Sequence, residues 1–134
     1  MNIGQGANIV VNTSSMIKRR AMRRIIEAIR ERGAKLVLSD ELEGQYRTHA
    51  ADAGLAPRAL WIELERLRKE GKLIYKSDEE LTPIAPQEDE DAPIIDLAKA
   101  AGAIIITSDK ELKERKAGAY GIQAFYLHEF LSDC

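Results

Sequence analysis

"DAPIIDLAKAAGAIIITSDKEL", residues 91–112, is the stretch whose reading decides the fold. Asp91 opens it, Pro93 falls in the first turn of a helix, and Ile94, Ile95, Leu97 and Ala98 give that helix an apolar side. Gly102 ends it. "AIIIT" (103–107) is apolar up to its threonine, which predicts a strand covered on both faces and central in a sheet. Asp109 then caps a short helix, "KELKERKAG". A helix that feeds directly into a fully buried strand is the repeating unit of a parallel α/β sheet.

The same alternation extends in both directions. "ANIVVN" (7–12) reads as a buried strand, followed by a helix over 15–32 with Ser14 or Ser15 as N-cap and Gly33 as its stop. "AKLVLS" (34–39) is a second strand, and Ser39 caps a helix over 40–53. Pro57 begins a third helix whose Leu60, Trp61, Leu64 and Leu67 recur at core spacing. "KLIYK" (72–76) is a strand, and 77–90, with Pro83 and Pro86, is an acidic loop. "IQAFY" (122–126) is the last strand, with a short helix from about His128. The expectation is α/β: a three-layer α/β/α sandwich around a mainly parallel five-stranded sheet. It forms one domain over 1–134, with residues 1–6 disordered.

Composition narrows the setting. At 134 residues, 45% hydrophobic and 31% charged, the chain suits one globular domain with its own core. No apolar run approaches the ~18 residues needed to span a bilayer, and no leader pattern opens the sequence. A cytoplasmic protein with no membrane partner is expected. Cys134 is the sole cysteine, so no internal disulfide forms. His49 and His128 lack the Cys partners of a structural zinc site and read as surface or core residues. The net charge of −2 is unevenly spread. Eight bases (Lys18, Arg19, Arg20, Arg23, Arg24, Arg30, Arg32, Lys35) crowd 17–35, and seven acids lie in 78–91. The basic helix is either a phosphate-binding face or a solvated one.

In a parallel sheet all strand C-termini share one edge, where ligands bind. This chain places Asn12, Thr13, Ser14 and Ser15 there after the first strand, and Ser39, Asp40 and Glu41 after the second. Thr107, Ser108 and Asp109 follow the fourth. Asp91 returns to the same edge because its helix runs back before that strand. Asp91 and Asp109 are therefore candidates to converge on a hard cation, Mg²⁺ or Mn²⁺. The competing reading is that each simply caps the helix it begins.

These residues resemble the PIN domain, a fold of small Mg²⁺/Mn²⁺-dependent ribonucleases that includes toxin components of toxin–antitoxin pairs. Asp91, Ala98, Gly102, the apolar strand, Thr107-x-Asp109 and the following Leu112 match its signature. "LVLSDELEGQY", "IVVNTSSM" and "GIQAFYLHEFL" resemble its second strand and helix, its opening strand and its close. The resemblance implies a hydrolase site of four acids in which metal activates water for attack on an RNA phosphate. Mapped by position, its catalytic residues are Asp91, Asp109, Asn12 and Gln45, and its metal ligands are Asp91 and Asp109. Asn12 and Gln45 are amides where the family has acids. One lost charge at ~4 Å from a cation is worth roughly 4 kcal/mol per unit ion charge at an effective dielectric near 20.

Thr13, Thr107 and Ser108 are expected to orient this site, and Glu41, one turn before Gln45, is the candidate replacement acid. Lys18, Arg19, Arg20, Arg23 and Arg24 are expected to contact nucleic acid. Two functions follow from the resemblance. One is a weak, metal-dependent endoribonuclease holding Mg²⁺ or Mn²⁺ poorly. The other is an inactive PIN-like module that binds RNA or a protein partner, such as an antitoxin or a second copy in a homodimer.

Overall fold

The computed structural model describes residues 3–54 and 56–132, leaving out the side chains of Arg19 and Pro57. Cys134 lies outside the described residues. Five strands, β1 (Asn8–Val11), β2 (Lys35–Ser39), β3 (Leu73–Lys76), β4 (Ile104–Thr107) and β5 (Ala124–Tyr126), form one sheet in the order β3-β2-β1-β4-β5. All four pairings are parallel. Ile9, Val10 and Val11 of β1 are fully buried, as expected for a strand with neighbours on each side and helices on both faces. β1 is thus the middle strand. β4, expected at the centre for its apolarity, is the next one out, between β1 and β5.

The helices are α1 (Thr13–Met16), α2 (Arg19–Arg32), α3 (Asp40–Asp52), α4 (Pro57–Lys69), α5 (Ala92–Ala101), α6 (Ala117–Ala119) and α7 (Leu127–Ser132). A 3₁₀ turn at Asp78–Glu80 and a π-helical stretch at Leu112–Lys116 complete the set. The chain is an α/β/α sandwich with a parallel five-stranded sheet.

The helix expected over 15–32 is two helices. Lys18 takes an extended backbone (φ −79°, ψ 121°) as N-cap of α2. The hydroxyls before it are drawn into tertiary bonds instead of capping: Thr13 Oγ1 donates to Gln45, and Ser15 Oγ lies 3.3 Å from Ser108 Oγ. Gly33 ends α2 in the left-handed conformation at φ 62°, with its N–H turned back to the Arg30 carbonyl. Ser39 does cap α3, accepting from Leu42 N–H at 3.2 Å.

Trp61, expected in the core, is 44% exposed. Leu60, Leu64 and Leu67 fill the buried stripe of α4, and Trp61 lies about 100° round the helix from Leu60. Its ring faces the Arg47 guanidinium, 4.9 Å from the centroid. Of the segment 1–6, residues 3–6 form a turn in which Gly6 N–H donates to the Arg32 carbonyl at 2.9 Å. Among the described residues no helix is long and apolar enough to cross a membrane.

Candidate functional site

The strand order reverses at β1: the chain steps outward through β2 and β3, then resumes on the other side with β4. In open parallel sheets ligands bind at the carboxyl edge of such a switch point. Here Asn12 N–H donates to the Ile106 carbonyl, and Asn12 Nδ2 donates to Thr107 Oγ1 at 2.9 Å, tying the ends of β1 and β4 together. Thr107 Oγ1 also accepts from Asp109 N–H at 3.0 Å. On the other side Tyr46, fully buried in α3, donates its hydroxyl to the Val11 carbonyl at 2.5 Å. Burial pushes that phenol far up, so it stays a neutral donor. Tyr46 thereby fixes the helix turn that carries Gln45, whose Oε1 accepts from Thr13 Oγ1 at 2.9 Å.

Above this edge opens a cleft of about 340 Å³. Asn12, Gln45, Asp91 and Asp109 all line it, so the fold brings together the four positions singled out in the sequence. Thr13, Ser14, His49 and Glu90 also face it. Glu41 is exposed and is not among the residues lining the cleft. His49 went unrecognised, although it stands one turn beyond Gln45 on α3, at the spacing that shares a face.

The two acids behave differently. Asp109 accepts from Leu112 N–H at 3.1 Å and does cap its helix. Asp91 is the N-cap residue of α5 but makes no side-chain cap bond. Its Oδ2 instead accepts from Lys116 Nζ at 2.9 Å, and the same ammonium reaches Asp89 Oδ1 at 3.0 Å. Asp89 Oδ1 further accepts from Asp91 N–H at 2.9 Å. This backbone bond, then Lys116, holds the Asp89 carboxyl below the usual range, while Asp91 and Asp89 together drive the Lys116 ammonium well above its own.

Asp96, five residues along α5 from Asp91, is buried away from the cleft. Its Oδ1 accepts from Ile84 N–H at 3.0 Å and Ala85 N–H at 3.1 Å, clamping the acidic loop onto α5.

No family model and no curated protein matches this chain. Solved structures do. A PilT N-terminus domain protein from the hyperthermophilic archaeon Sulfolobus solfataricus P2 superposes with a TM-score of 0.61 at 16% identity, over 93% of this chain and 91% of that one. A domain of a functionally unknown protein from Methanocaldococcus jannaschii DSM 2661 gives 0.54 at 23% identity, over 90% of each chain.

The fold is PIN-like.

A divalent cation fits the PIN-like cleft of this chain poorly. Mg²⁺ and Mn²⁺ need at least one or two free carboxylates, completed by neutral oxygens and water. Gln45 Oε1 is already an acceptor for Thr13, Asn12 turns a donor towards Thr107, and the best-placed carboxylate, Asp91, carries an ammonium. Among the described residues no three His, Cys, Asp or Glu side chains are grouped to hold a metal.

Of the basic residues on and before α2, Lys18, Arg20, Arg23 and Arg24 are exposed. Arg30 is committed to Glu70 through two 2.9 Å bonds. Arg32 is buried against the Phe130 ring, 4.4 Å from its centroid. The expected basic face is therefore narrower than the count of bases suggests, and it is concentrated at the first half of α2.

Proposed function

We propose that this chain is a PIN-like nucleic-acid-binding module of nuclease descent whose cleft no longer supports metal-dependent hydrolysis. The observation that carries the reading is the Lys116–Asp91 ion pair in a cleft where two of four expected acids are amides. Hydrolysis in such a site needs a cation to lower the pKa of water and to offset the charge that develops on phosphate. Lys116 supplies positive charge next to Asp91 but no open coordination position. A nucleic acid is the ligand class suggested by the exposed cations Lys18, Arg20, Arg23 and Arg24 on and before the first half of α2.

The weak-ribonuclease reading keeps one observation in its favour, the gathering of Asn12, Gln45, Asp91 and Asp109 around one cleft. Incubation of a labelled single-stranded RNA with Mn²⁺ separates the two. The expected result is no cleavage by the wild type and cleavage by the Asn12→Asp, Gln45→Glu, Lys116→Gln variant. Wild-type cleavage that is lost in Asp91→Asn would overturn the binding-module reading.

A further inference from the structure

A second groove, of about 510 Å³, adjoins the cleft. Ser108 lines the groove and the next residue, Asp109, lines the cleft, so the two share a wall. Their linings differ in charge. The cleft is lined by Glu90, Asp91 and Asp109, of which only Asp91 is paired with Lys116, whereas among the described residues the one charged residue lining the groove is Arg24. Without a cation, an anionic strand is repelled from the first and drawn to the second. The groove also carries an aromatic stack: the rings of Tyr126 and His128 lie 5.4 Å apart at 14°. Tyr126 is held in place at its hydroxyl, which donates to Glu114, and at its N–H, which donates to Glu129 Oε1 at 2.9 Å. His128 is exposed.

We propose that this groove is a nucleobase-binding subsite for a single-stranded nucleic acid. One base extends the Tyr126–His128 stack on the exposed imidazole, and Arg24 holds the adjoining phosphate. Base–aromatic stacking needs no specific base edge, so the subsite takes bases with little sequence preference. The assignment rests on the nucleic-acid-binding reading above and adds where the strand lies: beside the cleft, over α7 and the start of α2.

The test uses two probes. Titration of the wild type with 5′-adenosine monophosphate, followed through the His128 ring resonances by NMR, is expected to shift them through the ring current of the base. Inorganic phosphate alone is expected to leave them in place. Affinity for an eight-residue oligoadenylate, in ribo and deoxyribo forms, is then measured by fluorescence anisotropy. His128→Ala is expected to weaken it about fivefold or more, and His128→Phe to preserve it. Arg24→Gln is expected to weaken it and to lower the slope of log affinity against log salt by about one. Equal affinity of the two forms means that base and phosphate alone are read, and tighter ribo binding identifies RNA. Oligomer binding by the wild type that is unchanged in His128→Ala overturns the subsite and leaves the binding-module reading standing. A wild type that ignores the oligomers while the monophosphate still shifts His128 overturns the module reading and keeps a nucleotide site here.

Discussion

Lys116 Nζ stands 2.9 Å from Asp91 Oδ2, a carboxylate that lines the cleft beside Asn12, Gln45 and Asp109. The Asp91 side chain is nearly buried and that of Lys116 mostly so, which places the pair between surface ion pairs and fully enclosed ones. Removing the ammonium leaves a carboxylate in a poorly solvated position. Lys116→Gln is expected to lower folding stability by about 1–2 kcal/mol. Urea denaturation at neutral pH measures this, and an unchanged midpoint would show the pair to be incidental.

The same cluster fixes how stability depends on pH. The Asp89 carboxyl is held below its ordinary value in the folded protein, so its contribution is complete above about pH 4 and is lost as pH falls further. The Lys116 ammonium is raised, so its contribution is complete below about pH 10 and is lost as pH climbs past the folded value. Stability should hold level from about pH 5 to 9 and fall on both sides. In Lys116→Gln the acid limb should be shallower without vanishing, because the Asp91 N–H bond to Asp89 remains. Identical acid limbs in the two proteins would contradict the assignment.

Metal affinity gives a third expectation. Calorimetric titration of the wild type with Mn²⁺ should show only weak binding, reduced further in Asp109→Asn. Asn12→Asp with Gln45→Glu should raise affinity at least about tenfold, since each restored charge acts on a dication at close range. Tight binding by the wild type, equal in Asp109→Asn, would be inconsistent with the donor geometry.

Asp96 is a structural acid, and its variants should say so. Asp96→Ala strands the N–H groups of Ile84 and Ala85, a loss of about 1–3 kcal/mol for groups left without partners. Asp96→Asn keeps an oxygen acceptor and should lose less. Amide exchange at Ile84 and Ala85 should accelerate in the alanine variant by more than global destabilisation explains.

Two glycines should respond in opposite directions. A Cβ meets nothing within 4 Å at Gly44 or at Gly33, so packing decides neither. Gly44 lies inside α3, where alanine should stabilise by about 0.5–1 kcal/mol. Gly33 sits at φ 62°, where alanine should destabilise by about 1 kcal/mol. Thermal midpoints of the two variants check this, and shifts of the same sign would refute it.

Much of this was legible in the sequence. Apolar runs of four or five residues bounded by Ser39, Thr107 and Gly102 placed β2 and β4 within a residue, because a buried parallel strand has little freedom in composition. The convergence of Asp91 and Asp109 followed from topology alone. What escaped depended on geometry that no local pattern carries. The break at Lys18 arises because Thr13 and Ser15 find partners 32 and 93 residues away. Trp61 fits a helical core stripe by spacing but loses its place to Leu60 and Leu64. Lys116 was the largest omission. It lies at the end of the wide-turned stretch Leu112–Lys116, whose π geometry changes which side chains share a face.

Phe130 of α7 is fully buried. Its ring receives the Arg32 guanidinium, Arg32 in turn donates to the Ile3 carbonyl, and a Cβ at Gly4 would come within 3.2 Å of it. The opening turn and α7 therefore meet at this aromatic side chain. A short peptide linker could join them into a ring, and the ring could be cut again in an exposed loop. Such a circular permutant would present its strands in a new order along the chain while keeping the same sheet.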